Sequence, residues 1–164
     1  MRRLCLVILA LLAPAAATAA PAAQPPPCPP AVVTVKANAW NAARHRLVPP
    51  GPVAIRLCRY AGLNARPPLA LERALLVTSK TQIARLAREY DALPPFPPGL
   101  FACPFDDGSQ VLAQIAYPGG RRVMVAFPHT GCLRVTNGDL VRMGSERLDA
   151  ELWGLTAPAH GDRA

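Results

Sequence analysis

The chain lacks a recognisable catalytic motif. It contains no G-x-S-x-G nucleophile elbow, and its three histidines are scattered along the sequence. Ser79, Ser109 and Ser145 suit helix-cap or turn positions better than nucleophilic ones. No two acids stand out as a glycosidase pair among Glu72, Asp106, Asp107, Glu146 and Glu151. We therefore predict a non-enzymatic protein, with an unrecognised secreted hydrolase as a residual alternative.

Paired metal-ligand spacings are also missing. His129 and Cys132 form one short spacing, with Cys103 further away, whereas a structural zinc site uses four ligands in paired short spacings. The DDGS stretch at 106–109 matches the start of a calcium loop, but the later ligands, including a bidentate glutamate, are absent. We expect a β-turn there instead, and we predict neither a metal nor another cofactor.

Lysine is scarce in a chain whose formal charge is +8. Only Lys36 and Lys80 are lysines, and the arginines are scattered, with Arg121 and Arg122 as the densest pair after the first segment. No basic stripe carries interleaved aromatic residues, as a nucleic-acid surface would. Together with the high alanine and proline content, this pattern indicates the codon usage of a high-GC genome. We therefore predict no nucleic-acid partner.

After its first segment the chain has no apolar run long enough to span a membrane. Residues 1–3 are positively charged, residues 4–13 are almost wholly apolar, and residues 17–19 read Ala-Thr-Ala, which fits signal peptidase. We predict a signal peptide at 1–19. An uncleaved anchor is the alternative, although the run is short for a span of about 20 residues. Cys5 lies at the start of the run, which argues against lipidation. The protein is therefore expected to be secreted, or extracytoplasmic.

Four cysteines follow this segment: Cys28, Cys58, Cys103 and Cys132. An even set of cysteines in a small exported chain is typical of disulfides, each of which stabilises a fold by roughly 2–4 kcal/mol. The residues alone leave the pairing open.

Composition divides the chain after the signal segment into three parts. Residues 20–31 are nearly all proline and alanine and predict a polyproline-like spacer that cannot bury a core. Residues 32–155 have the patterning of one α+β domain. Residues 156–164 predict a flexible tail.

The first half of this domain predicts two strands and one clear helix. Residues 53–60 alternate apolar and polar and indicate a strand, and the ambiguous residues 69–77 favour a second one. Ser79 and Gln82 form a capping box, and apolar residues then recur at helical spacing up to Leu93. The PPFPPG stretch at 94–99 predicts a stiff extended connector, with a proline-rich ligand for another domain as the alternative.

The second half predicts hairpins followed by a short helix. Residues 111–117 and 121–127 gather one apolar face only if Ile115 pairs with Val123, which requires a three-residue loop. Asn137-Gly138 favours a two-residue type I′ turn between 132–136 and 139–142, and residues 145–155 suit a helix. The predicted fold class is α+β, an antiparallel sheet with one main helix packed on one face.

Two resemblances follow from these elements. The stretches CRYAGL at 58–63, LPP at 93–95 and YPGG at 117–120 resemble a group of uncharacterised secreted proteins of high-GC bacteria. Over residues 53–137 the order of elements is similar to the bacterial subtilisin inhibitor-like family. In both, a strand ending in cysteine precedes a helix, a Cys-Pro segment, a hairpin and a returning cysteine, here Cys132.

The inhibitor resemblance implies a Cys103–Cys132 disulfide, and with it we expect Cys28–Cys58 as the second. It also implies that the residues after Cys103 form a braced, exposed loop in which Pro104, Phe105 and Asp106 enter a protease cleft. Phe105 would fill a subtilisin- or chymotrypsin-type pocket. Two features differ from the family pattern, since Asp106 follows Phe105 and Cys58 has no partner before Cys103.

The prediction for function is accordingly a secreted, non-enzymatic binding domain whose partner is an extracellular protein or a component of the cell envelope. The alternative is an extracellular serine-protease inhibitor that acts through Phe105. Trp40 and Trp153 are expected to pack in the core or at the domain edge.

Overall fold

The structure, a computed structural model, describes residues 23–100 and 102–157. The predicted signal peptide at 1–19 and the tail beyond residue 157 lie outside the described residues. The helices and strands follow in this order: β1 Ala54–Tyr60, β2 Leu71–Val77, α1 Lys80–Asp91, β3 Gln110–Ala116, β4 Arg122–Pro128, β5 Arg134–Thr136, β6 Val141–Met143 and α2 Glu146–Leu155. A 3₁₀ turn at Asn41–Arg44, which the sequence did not indicate, precedes β1.

The six strands form one antiparallel sheet in the order β2-β1-β3-β4-β5-β6. Ile115 pairs with Val123 and Ala113 with Val125, which confirms the three-residue loop of the β3–β4 hairpin. This register places the β-branched residues of both strands on one face, where they can be buried together. The predicted α+β class is therefore confirmed.

Both helices pack on that face of the sheet. Ser79 caps α1, because its Oγ accepts a hydrogen bond from Gln82 N at 3.5 Å, and Ser145 caps α2 in the same way through Leu148 N at 3.3 Å. The resulting core includes the following side chains from the sheet and the helices: Ile55, Leu57, Ile115, Val125, Phe127, Ile83, Leu86, Tyr90, Leu148 and Leu152. Each fully buried side chain of this size contributes about 1.5–3 kcal/mol.

The opposite face of the sheet is covered by the N-terminal arm, which we define as residues 25–37. Cys28 is bonded to Cys58 in the middle of β1, and the arm's valines pack on Tyr60 and Leu112. Tyr60 Oη donates to the Pro29 carbonyl at 3.0 Å, and burial raises the pKa of Tyr60 to about 12. The stretch 20–31, interpreted from composition as a spacer, therefore packs on the sheet from Pro25 onward.

The second hairpin differs from its prediction. A two-residue turn at Asn137-Gly138 would pair Thr136 with Asp139. Thr136 instead pairs with Val141, so that residues 137–140 form a four-residue loop. The predicted type I′ turn is wrong.

The Asn137 side chain explains the longer loop. It is 1% exposed, and its Oδ1 accepts hydrogen bonds from the backbone N–H groups of Asp139 at 3.1 Å and Leu140 at 2.9 Å. Its Nδ2 donates to the carbonyls of Ala43 at 2.8 Å and Arg46 at 3.0 Å. A side chain that satisfies distant buried carbonyls outweighs a local turn preference.

The proline-rich connector after α1 lies along the outer edge of β6. Met143 N donates to the Pro94 carbonyl at 2.9 Å, and Phe96 N donates to the Val141 carbonyl at 3.4 Å. The connector therefore covers an edge that would otherwise be open to pairing. No helix within residues 23–100 and 102–157 has the length and apolar character that a membrane span requires.

Candidate binding loop

The segment that leads into β3, residues 102–109, is called the binding loop below. The Cys103–Cys132 disulfide joins its start to the segment after β4, with Cα atoms 5.0 Å apart. Cys103, Pro104, Phe105 and Asp106 are all exposed, and Phe105 is 74% exposed. The structure thus places the three predicted contact residues on the surface beside a disulfide.

Asp107 anchors the loop from within. Its Oδ1 accepts hydrogen bonds from the Ser109 backbone at 2.9 Å, the Ser109 hydroxyl at 2.6 Å and the Thr130 hydroxyl at 2.7 Å. These bonds, those from Ser109 foremost, hold the pKa of Asp107 below its ordinary value. The ionised carboxylate is therefore the form that the loop stabilises.

Asp106 is held as well, although its side chain is exposed. Its Oδ1 accepts from Gly108 N at 2.9 Å, which forms a local turn. Gly131 has a φ of +74°, and a Cβ there would lie 2.9 Å from the Asp106 Cβ, so this close approach requires glycine. The carboxylate therefore points back into the loop's own backbone.

A second segment, residues 61–69, supports the loop from the other side. Leu63 N donates to the Asp107 carbonyl at 2.7 Å, and a Cβ on Gly62 would overlap the Asp107 carboxylate. Leu63 itself is 55% exposed. The binding loop and the segment 61–69 thus meet at the backbone of Asp107.

The exposed large apolar side chains among the described residues are Leu63, Leu100 and Phe105. Leu63 belongs to the supporting segment and Phe105 to the binding loop, and these two segments meet at Asp107. We call Leu63 and Phe105 the apolar loop surface. Exposed apolar surface on adjoining segments is a feature of binding sites.

His129 lies near the loop but belongs to a different cluster. Its Nδ1 lies 2.8 Å from Asp149 Oδ1, and its ring stacks on Trp153 with centroids 3.7 Å apart. Arg59 lies over the same indole at 3.6 Å, a cation–π contact. Trp153 therefore packs at the domain edge, as predicted. Among the described residues, no group of three or more His, Cys, Asp or Glu side chains could hold a metal ion.

A pair of acids that the sequence did not indicate lies between the helices. Glu89 of α1 and Glu151 of α2 have side chains 12% and 17% exposed, and Arg85 contacts both. Burial, followed by the hydrogen bond and like charge of Glu151, raises the pKa of Glu89. Arg85 and Arg147, whose Nη2 lies 3.3 Å from Glu89 Oε1, act against this rise in pKa. The pair is therefore part of the contact between the two helices.

The sequence could indicate some of these residues and not others. An aspartate two residues before a serine is a common turn pattern, so the contact between Asp107 and Ser109 was foreseeable. Thr130 and Leu63 come from distant segments and meet the loop only in the folded chain. No protein-family model, curated protein or solved structure matches this chain, so its resemblance to the inhibitor family stays a prediction.

Proposed function

We propose that the protein is an exported, non-enzymatic binding domain that contacts a partner protein through the apolar loop surface. The observation that carries this proposal is Phe105, an aromatic side chain 74% exposed on a loop that has a disulfide before Phe105 and hydrogen bonds to the Asp107 backbone after it. Burying such a side chain in a complex contributes about 1.5–3 kcal/mol, a driving force that the free protein does not use.

The bracing of the loop supports the same function. A disulfide lies before Phe105 in the chain. After Phe105, the Asp107 carboxylate accepts three hydrogen bonds. A loop already fixed in one conformation loses little entropy when it binds, so more of the contact energy becomes affinity. The predicted signal peptide and the two disulfides support export, because disulfides persist in oxidising compartments.

Serine-protease inhibition is the sharper second candidate. An exposed Pro104-Phe105 pair directly after a disulfide suits insertion into a cleft with a large apolar primary pocket. The Asp106 carboxylate accepts from Gly108 N at 2.9 Å, which reduces the cost of presenting an acid next to Phe105. This contact favours the candidate despite the departure from the family pattern.

The inhibitor candidate is tested by titrating purified protein against subtilisin and chymotrypsin. We expect inhibition at micromolar concentration or below, and Phe105→Ala should weaken it on the order of 100-fold, as loss of a central aromatic contact does. Phe105→Arg should transfer inhibition to trypsin, whose pocket accepts a basic side chain. Absence of slowing, or rapid cleavage after Phe105, would remove this candidate.

The broader proposal is tested separately by affinity capture from culture supernatant and cell-envelope extract. A partner retained by the wild type should be lost with a Leu63→Ala, Phe105→Ala double variant whose thermal unfolding is unchanged. A matched variant, Ala74→Ser on the exposed side of β2, should retain it. A partner that the double variant still captures would contradict the assignment of this surface.

A further inference from the structure

A groove of about 910 Å³ runs beside α1, and its lining includes no residue of the binding loop. One wall is α1 itself, the other is the segment 46–54 that leads into β1, and Ala23 and Gln24 also line the groove. We call this the α1 groove. Its volume lies in the range of sites that enclose small molecules.

The floor and walls of the α1 groove are apolar. Val48 and Ile83 are 1% and 3% exposed and form part of the floor, while Ala84 and Ala87 continue the helical wall. Ala84 is itself exposed, so the wall is open to a ligand.

The opposite wall keeps its backbone carbonyls but offers few free backbone N–H donors. Three of its residues, 49, 50 and 52, are prolines and have no N–H group. Val48 N already donates to Asp91 Oδ1 at 3.0 Å, and Val53 N donates to the Ala116 carbonyl at 2.9 Å. A peptide that binds as an added strand needs such groups on its partner. A hydrocarbon chain needs none, so the wall favours an alkyl chain.

The charged residues around the groove are mostly cationic. Arg46, Lys80 and Arg88 line it, against Asp91 as the acid in the lining. Asp91 already accepts from Val48 N and from Arg46 Nη1 at 3.4 Å. Lys80 lies at the first position of α1, where the helix dipole adds to its attraction for an anion. The groove is thus complementary to an apolar ligand with one negative end.

We propose that the α1 groove binds a single long-chain carboxylate, a fatty acid. Its alkyl chain would lie against Ile83, Ala84 and Ala87, and its carboxylate would pair with Lys80. This site is separate from the apolar loop surface and does not depend on the function proposed for that surface.

The test is titration of purified protein with palmitate, below its micelle concentration, by displacement of a fluorescent fatty acid. We expect saturable binding at micromolar palmitate. Ala84→Trp should weaken it at least tenfold, because the indole fills the groove. Ala150→Trp, at an exposed alanine of α2, should leave it unchanged.

Charge is tested with the chain's two lysines. Lys80→Glu should weaken the binding of palmitate at least tenfold. A cationic amphiphile of equal chain length should bind this variant at least as tightly as it binds the wild type. Lys36→Glu, which makes the same charge change on the exposed arm, should alter neither. Phe105→Ala should also bind palmitate normally.

Three results would overturn the proposal. They are no binding of palmitate to the wild type, equal loss in the Ala84→Trp and Ala150→Trp variants, and binding to phosphatidylglycerol vesicles without binding to free palmitate.

Discussion

At the scale of single residues, Glu89 lies beside a second carboxylate inside the contact between α1 and α2. Its Oε2 is buried with no N–H or O–H donor within reach, so a hydrogen bond to Glu151 can form only when one of the two carries a proton. Because burial and Glu151 raise its pKa above the value in an unfolded chain, the folded protein holds this proton more tightly.

This difference predicts a pH dependence of stability. Between the unfolded and the folded pKa of Glu89, the folded state binds more protons, so the free energy of unfolding falls as pH rises through that interval. Glu89→Gln should therefore be more stable than the wild type at neutral pH and should flatten the profile above the unfolded pKa of Glu89, as measured by urea unfolding. Glu146→Gln, at an exposed position in α2, should keep the wild-type slope. A uniform loss at every pH would contradict the prediction.

Asp107 predicts the opposite slope. Its pKa is lowered in the folded state, so its contribution is present above the unfolded pKa and is lost as pH falls through the folded one. Asp107→Asn should lower the free energy of unfolding by about 1 kcal/mol at pH 7, a modest value because the loop is partly solvated. This difference in the free energy of unfolding between the wild type and Asp107→Asn should become smaller as the pH falls through the folded pKa of Asp107.

The Thr130 hydroxyl provides a test that leaves the charge in place. Thr130→Val removes the hydrogen bond from the Thr130 hydroxyl to Asp107. Like Asp107→Asn, it should lower the free energy of unfolding, and amide exchange in the binding loop should become faster. Thr81→Val, at an exposed position of α1, is the matched control. Equal exchange in both variants would show that Thr130 does not hold the loop.

At the scale of elements, the N-terminal arm depends on one covalent contact with the sheet. The Cys28–Cys58 bond closes a separation of 30 residues, and its replacement by two serines should cost roughly 2–4 kcal/mol. Hydrogen exchange should rise in the arm, and a dye that binds apolar surface should detect the uncovered face.

The Cys103–Cys132 bond is the natural comparison, since its separation is 29 residues. Its replacement by serines should cost a similar free energy but should raise exchange in the binding loop and leave the arm protected. If both variants exposed the arm equally, the arm would not be held by its own disulfide.

The four-residue loop of the second hairpin predicts a large effect from one residue. Asn137→Ala leaves the carbonyls of Ala43 and Arg46 without their donor in a buried position, which should cost about 2–3 kcal/mol in thermal or urea unfolding. Asn64→Ala, at an exposed turn, should stay within about 0.5 kcal/mol of the wild type. Similar stability of the two variants would contradict the role of Asn137.

At the scale of the whole molecule, the sequence predicted what local pattern determines. The alternation in β1 and the apolar face shared by Ile115 and Val123 specified strands and register, because a shift of one residue would expose the core. Helix α1 followed from its cap and its spacing.

Contacts between segments that are distant in the sequence could not be predicted from local pattern. Proline-rich residues carry no periodicity. The expected Cys28–Cys58 bond tied residue 28 to the first strand, but nothing else in 20–31 indicated that the stretch covers a sheet face, and nothing in 94–99 indicated that this stretch covers a sheet edge. For the candidate site, the exposure of Phe105 was predicted from the resemblance to the inhibitor family. The support from Leu63 and Thr130, and the α1 groove, depend on tertiary packing.

The two disulfides close loops that do not overlap in the chain, and the exposed residues 97–100 lie between them. A protease that cuts within 97–100 would therefore produce two fragments, each with its own internal crosslink. One fragment would contain β2, β1 and α1, and the other β3 to α2. They would stay joined by the β1–β3 ladder and by the connector on β6, so that the nicked protein would migrate as one particle until a denaturant separated its halves.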